Sequence, residues 1–342
     1  MFNNPTKLLF LITLMGGTLV SVSSNSWLGA WMGLEINLLS FIPLMTNSKN
    51  VMSTEASLKY FLIQALASIS LLFTVILMYL LSEMMIFTDQ DLFSTLIGSA
   101  LLLKMGAAPF HFWFPGTMEG LNWNNCLILM TWQKIAPLML LSYVIKLNAF
   151  TTLVILTSVV IGSLGGLNQT SLRKLMAYSS INHLGWMVAA MISGENLWEL
   201  YFFIYIFLSS ALIFLFNSSQ LSHVNQAFLM WNQNATMKFC LFSLLLSLGG
   251  LPPFLGFLPK WVIIQTMVEL NLIFVVTVMV ITTLITLFFY LRLCFSAFLL
   301  SYGELKWITV TCYKNINLIV TMSFTMLSTL GLIVCTILFN IL

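Results

Sequence analysis

An all-α integral membrane protein is the fold class this sequence predicts, on three observations. The 342 residues are 60% hydrophobic and 7% charged, with a mean hydropathy of +1.00, a balance that no water-soluble domain of this size shows. The apolar residues fall in runs long enough to cross a hydrocarbon core, which takes about 20 residues of helix. Polar or Gly/Pro-rich breaks separate the runs, so about eleven transmembrane helices use up the whole chain as one polytopic membrane domain.

The first run, 8 to 22, follows a lone Lys7, and no small-residue cleavage site separates it from the next, so it is expected to stay in the mature protein. The second run, 27 to 45, carries Glu35, and the third covers 57 to 81. The fourth, 92 to 115, carries Lys104 and is interrupted by Pro109 and Pro115; the fifth, 124 to 146, carries Lys134. Runs at 150 to 166, 175 to 193 (with His183) and 198 to 216 follow. The ninth, 238 to 267, carries Lys260 and is interrupted by Pro252, Pro253 and Pro259; the last two cover 272 to 299 and 318 to 341. Proline removes a backbone donor and clashes with the preceding turn, so the fourth and ninth runs are expected to be interrupted helices.

Orientation follows from the basic residues, since short loops rich in Lys and Arg stay on the side of synthesis. Lys7, Lys49, Lys59, Arg173, Lys174, Lys238, Lys306 and Lys314 fall on the N-terminal side of an eleven-span layout. The opposite loops hold Lys146 with Glu83, Asp89, Asp91, Glu195, Glu199 and Glu269. The N-terminus is therefore expected on the matrix or cytoplasmic side, and an odd number of spans puts the C-terminus on the far side.

Four charged residues lie where lipid should be. Glu35 is eight residues into its run, Lys104 twelve and Lys134 ten, while Lys260 precedes Glu269 by nine, which is roughly 12 to 18 Å of depth at about 1.5 Å per residue. A central charge costs about 2.5 to 3.5 kcal/mol on insertion scales, so these groups must face one another or water. Buried ion pairs that fix helix packing are one reading. Three lysines against one nearby acid favour the other, a hydrated proton relay, because a lysine without a fixed counter-charge can gain and lose its proton as its hydration changes.

The breaks point the same way. Lys104 lies in Leu103-Lys104-Met105-Gly106-Ala107-Ala108-Pro109, and Lys260 ends the run from Gly249 through Pro252, Pro253 and Pro259. Interrupted helices in corresponding positions mark ion pathways in secondary transporters. His183, in Tyr178-Ser179-Ser180-Ile181-Asn182-His183, is a second-tier candidate, since a lone membrane histidine more often makes one interhelical hydrogen bond. His111 and Trp113 fit an interfacial anchor as well as a functional role, and His223 falls in a loop.

Several classes are excluded. The net charge of +3 is spread along the chain and forms no basic stripe for nucleic acid. Cys126, Cys240, Cys294, Cys312 and Cys335 have no paired spacing for a metal or disulfide framework and read as small apolar fillers. The glycosylation patterns at Asn168, Asn217 and Asn234 carry no weight without a secretory route. No G-x-G-x-x-G, Walker loop, C-x-x-C or haem-spaced histidine pair is present, so this chain is expected to hold no redox cofactor, bind no nucleotide and take its driving energy from elsewhere.

The run Ser24-Asn25-Ser26-Trp27-Leu28-Gly29-Ala30-Trp31-Met32-Gly33-Leu34-Glu35 through Pro43 closely resembles the chain 2 subunits of mitochondrial NADH:ubiquinone oxidoreductase (respiratory complex I), in their short animal, insect-like form. Lys104 to Pro115, Arg173 to Gly185 and Gly249 to Trp261 resemble further signature segments of that family, so the likeness runs from end to end. It implies an antiporter-like fold of two inverted five-helix repeats, about 8 to 146 and 150 to 299, with a C-terminal helix at 318 to 341. It also implies roles: Glu35 modulates Lys104, Lys134 connects the half-channels, and Lys260 is the terminal lysine of the second repeat. His183 matches a histidine of the family, and the lysine at 260 favours chain 2 over a related subunit that carries glutamate there. Longer bacterial relatives have three additional N-terminal helices, whose roles do not transfer.

The function this resemblance implies is translocation of protons across the mitochondrial inner membrane, coupled to NADH oxidation and ubiquinone reduction in other subunits. NADH, FMN, iron–sulfur clusters and ubiquinone belong to the complex as a whole, and the partners are other membrane-arm subunits and membrane lipid. A cation/proton antiporter shares the helix pattern, and a passive membrane scaffold with paired buried charges is a third reading.

Overall fold

Helix is the only regular structure of any length in the computed structural model, which describes residues 5–47, 50–83, 90–194, 196–224, 226, 235–299, 320–331 and 333. An apolar segment has no water to satisfy its peptide groups, so it satisfies them internally as helix. The chain divides into two compact units, Met1–Ser158 and Val159–Leu342.

In the first unit α1 (Pro5–Ser23) and α2 (Trp27–Met45) pack closely. Gly17 and Gly33 permit it: a Cβ on Gly33 would meet the Ser21 backbone nitrogen at 2.5 Å, and one on Gly17 the Asn37 nitrogen at 2.9 Å. Without a hydrophobic force between helices in lipid, such small residues let backbones approach. The Ser26 hydroxyl opens α2 by accepting from the Gly29 N–H. Next come α3 (Val51–Glu83), α4 (Gln90–Met105), α5 (Trp113–Gly120), α6 (Trp123–Met130) and α7 (Trp132–Ser142). With 33 residues, α3 is ~50 Å long, well beyond a hydrocarbon core of ~30 Å.

The fourth run ends its first helix at Met105 and restarts at Trp113, as the prolines lead one to expect. The fifth run departs from expectation. It divides at Thr131 into α6 and α7, although no glycine or proline stands there. The Thr131 hydroxyl and its own N–H both bond to Leu127 O, at 2.6 and 3.0 Å, the local competition by which threonine bends a helix. Pro137, one turn and a half onward, removes a further ladder donor.

Residues of α8 (Ala149–Gly166) lead into the second unit, which holds α9 (Leu172–Ser193), α10 (Leu197–Ser218), α11 (Ala235–Gly249), α12 (Phe257–Glu269), α13 (Ile273–Leu299) and helical residues 320–331. The ninth run is the one divided into α11 and α12. Tyr178 and Asn182 of α9 pack against Gly165 and Gly162 of α8, where any side chain would collide with them. The loop between α8 and α9 is pinned by Leu172 N–H to Ser222 O and Val224 N–H to Thr170 O, each 3.0 Å.

Six of the described helices are long and apolar enough to cross a membrane: α1, α2, α3, α8, α10 and α13. They coincide with six of the expected runs. Three other runs are divided in two, the seventh is too polar by composition, and the eleventh is described only at 320–331 and 333. Lys49, Asp89, Glu195, Lys306, Lys314, Cys312 and Cys335 also lie outside them.

Candidate functional site

Both interrupted helices end in the same way. Gly106 and Gly250 adopt left-handed backbone at φ +72° and +79°, the conformation in which glycine carries no Cβ penalty. After α4, Gly106 N–H bonds to Leu103 O at 3.2 Å and Ala107 N–H to Leu102 O at 3.1 Å. After α11, Gly250 N–H bonds to Ser247 O at 3.1 Å and Leu251 N–H to Leu246 O at 3.3 Å. These are Schellman ends, and the carbonyls of Lys104, Leu248 and Gly249 fall outside these backbone bonds.

The two ends find different partners. In the first unit, Gln64 Nε2 of α3 donates to Lys104 O at 2.9 Å, and Trp113 Nε1 donates to Leu103 O at 3.2 Å. In the second, Lys260 does the work itself: its Nζ donates to Leu248 O at 3.3 Å and Gly249 O at 2.9 Å. A cation at a helix C-terminus meets the negative end of the macrodipole, so backbone carbonyls take the place of a carboxylate counter-charge, which no described residue supplies to Lys260. The Lys260 ammonium also lies 5.8 Å from the centre of the Trp186 ring, within cation–π range.

Of the residues singled out from sequence, the first unit brings three together. Lys104 and Lys134 are 6% and 1% exposed, and both line one cavity of about 20 Å³. That volume has room for about one or two waters. Half-buried Glu35 lies within electrostatic reach of Lys104. Lys134 Nζ stands 5.3 Å from the centre of the Phe114 ring. Lys146, at the end of the fifth run, pairs with Asp91 at 2.8 Å on an exposed surface.

In the second unit Leu248 links Lys260 to the surroundings of His183. His183 Nδ1 is 2.7 Å from the Tyr201 hydroxyl, and its ring lies 5.1 Å from that of Tyr205. A cavity of about 10 Å³ is lined by these three, by Leu248, whose carbonyl Lys260 holds, and by Gly256 and Pro259. Gly256 is forced to be glycine, since a Cβ there would overlap Ser247 O. His111 lies buried against Phe112, with Nδ1 3.3 Å from Pro109 O.

Neutral polar side chains of the first cavity escape a reading based on charge. Tyr60 OH donates to Gln133 Oε1 at 3.3 Å, and Gln133 Nε2 donates to Asn37 Oδ1 at 2.9 Å. Together with Gln64 they supply most of its polar lining. Position in the middle of apolar runs, beside Glu35 and Lys134, is the signal that could have found Asn37 and Gln133.

Buried lysines at interrupted helices, two of them on one polar cavity and the third on the carbonyls of a broken helix end, define a membrane protein of the antiporter type. Residues 24–286 match the family described as NADH:quinone oxidoreductase/Mrp antiporter, TM, and residues 287–339 match NADH dehydrogenase subunit 2 C-terminus. The NADH-ubiquinone oxidoreductase chain 2 of Aedes aegypti is 56% identical over 335 residues, covering 98% of both chains. That of Locusta migratoria is 48% identical, covering 98% of this chain and 97% of its own, and that of Bos taurus is 42% identical over 312 residues, covering 88% and 89%. The chain belongs to the NADH-ubiquinone oxidoreductase chain 2 family. Its fold is shared with a chain of respiratory complex I from Thermus thermophilus, at a TM-score of 0.85 and 24% identity over 97% of this chain and 79% of that one. It is shared too with a chain of the Mrp complex from Dietzia, at a TM-score of 0.78 and 15% identity over 96% and 75%.

Proposed function

We propose that this chain is a proton-translocating membrane subunit of respiratory complex I, a multi-pass protein of the mitochondrial inner membrane. Its family membership supports the assignment to the complex. The observation that carries the proton role is the placement of Lys104, Lys134 and Lys260, each buried beside an interrupted helix or a water-sized cavity. Glu35 sets the field around Lys104, Lys104 and Lys134 exchange protons across the first cavity, Lys260 is the terminal proton carrier, and His183 with Tyr201 serves the second cavity. Oxidation of NADH and reduction of ubiquinone take place in other subunits, with FMN and iron–sulfur clusters there, and this chain holds no redox group. Its energy arrives as changes in hydration and field at the lysines.

In this reading the chain crosses the membrane about eleven times as two inverted repeats, 8 to 146 and 150 to 299, followed by the helix at 318 to 341. The concentration of Lys and Arg in alternate loops supports an N-terminus in the matrix and a C-terminus toward the intermembrane space. Exposed apolar faces on α1, α3 and α13 fit lipid and neighbouring membrane-arm subunits.

The test is Lys134→Ala and Lys260→Ala in the assembled complex, reconstituted into vesicles, with NADH oxidation and proton uptake measured together. Loss of pumping in both is expected; intact oxidation and intact pumping in both would remove the assigned roles.

A further inference from the structure

We infer that Gln133 is the positioning residue of the first unit's lysine pair, holding in place the water through which Lys104 and Lys134 exchange a proton. This rests on the proton-relay reading above and deepens it. Gln133 immediately precedes Lys134 on α7 and lines the cavity that both lysines share. Its amide is gripped from two sides, by the Tyr60 hydroxyl of α3 at Oε1, 3.3 Å, and by Asn37 Oδ1 of α2 at Nε2, 2.9 Å.

A glutamine amide offers two acceptor lone pairs and two donor hydrogens. The two bonds use one of each, so one acceptor and one donor position remain, with directions fixed by α2, α3 and α7. A water in a cavity of about 20 Å³ needs two to four polar partners to be held. The amide supplies two of them, and the lysines supply the rest.

Residue chemistry explains why an amide stands here. A carboxylate beside Lys134 would form a fixed pair and hold the charge in place, and removal of either partner would then be costly. An apolar side chain would leave the water without orientation. Glutamine orients without taking up charge. In the step itself a Lys104 N–H bond breaks as an O–H bond forms on the water, and the water passes one of its own protons to the Lys134 amine, where a new N–H bond forms. The water is restored, one positive charge has moved between lysines, and Gln133 has gained and lost nothing.

The experiment places Gln133→Met, Tyr60→Phe and Lys134→Ala in the full complex in vesicles, and measures protons moved per NADH oxidised in H₂O and in D₂O. Gln133→Met is expected to lose pumping about as severely as Lys134→Ala, with a larger deuterium effect on what remains. Tyr60→Phe, which lets the amide turn but keeps it, is expected to fall between that variant and the unaltered complex. Unchanged pumping and an unchanged deuterium effect in assembled Gln133→Met would overturn the inference. Should that variant fail to assemble, Tyr60→Phe decides in the same way, since it removes one oxygen and keeps the ring. Normal pumping by Lys134→Ala would instead bring down the relay reading on which this inference stands.

Discussion

A single methyl group at Gly250 should separate the position of Lys260 from the stability of the helix end that it caps. Gly250 has φ +79°, and an L side chain in left-handed backbone costs about 1 to 2 kcal/mol. A Cβ there would lie 2.8 Å from Lys260 Cδ and 3.0 Å from Nζ. The lysine end is the flexible party, so it moves, and its bonds to Leu248 O and Gly249 O are lost. Hydrogen bonds to charged groups contribute about 1.5 to 3 kcal/mol, which is roughly 10- to 100-fold in occupancy of the capping position. Gly106→Ala is the matched control: its φ is +72°, and the atoms nearest its Cβ belong to Phe114 and Trp113, at 3.1 and 3.3 Å, rather than to a lysine. Both variants carry the same backbone strain, and only Gly250→Ala displaces a lysine. Thermal denaturation of the complex should register similar losses for the two, while proton uptake per NADH should fall much further in Gly250→Ala. Equal pumping by the two variants would show that the broken helix end does not set the position of Lys260.

Three further outcomes follow from the packing. Gln64→Leu leaves Lys104 O buried without its side-chain donor and should lower stability by about 1 to 3 kcal/mol, read as the thermal midpoint of the purified complex. Tyr201→Phe removes the partner 2.7 Å from His183; the cost should be about 0.5 to 1.5 kcal/mol, with a fall in pumping that His183→Phe does not deepen when combined with it. Gly33→Ala drives a Cβ to 2.5 Å from the Ser21 nitrogen and should weaken α1 against α2 by about 1 to 3 kcal/mol, measured as protease sensitivity near residues 24 to 26.

The six long apolar helices and the charges inside apolar runs were legible in the sequence because both stand out against hydropathy. A lysine in an apolar run is visible to anyone who counts, and so are Pro109 and Pro252 beside the glycines that end α4 and α11. The division at Thr131 was not legible. It depends on one hydroxyl reaching back to Leu127 O, and threonine occupies many unbroken helices here, such as Thr282 in α13, with a similar bond to Val278 O. The amide layer of Asn37, Gln64 and Gln133 was also missed, since a neutral side chain barely alters the hydropathy of its run, and its importance appears only when three helices converge on it. His183 changed in standing for a related reason. Alone in sequence it is one polar residue in a span, and only the fold sets it beside Tyr201 and Tyr205, on a cavity that Leu248 also lines.

Helix α9 raises a question of manufacture. Of its 22 residues, 17 are buried within the unit, so the mature helix meets little lipid and needs no apolar coat. Arg173 and Lys174 at its start, with Ser179, Ser180, Asn182 and His183 along it, make it a poor passenger for the insertion machinery, which admits segments according to their own hydrophobicity. The strongly apolar α8 and α10 on either side must carry it in. In the proposed eleven-span layout, insertion of α9 therefore depends on its neighbours, and a released chain ending after residue 193 should insert α9 less completely than one that also carries α10.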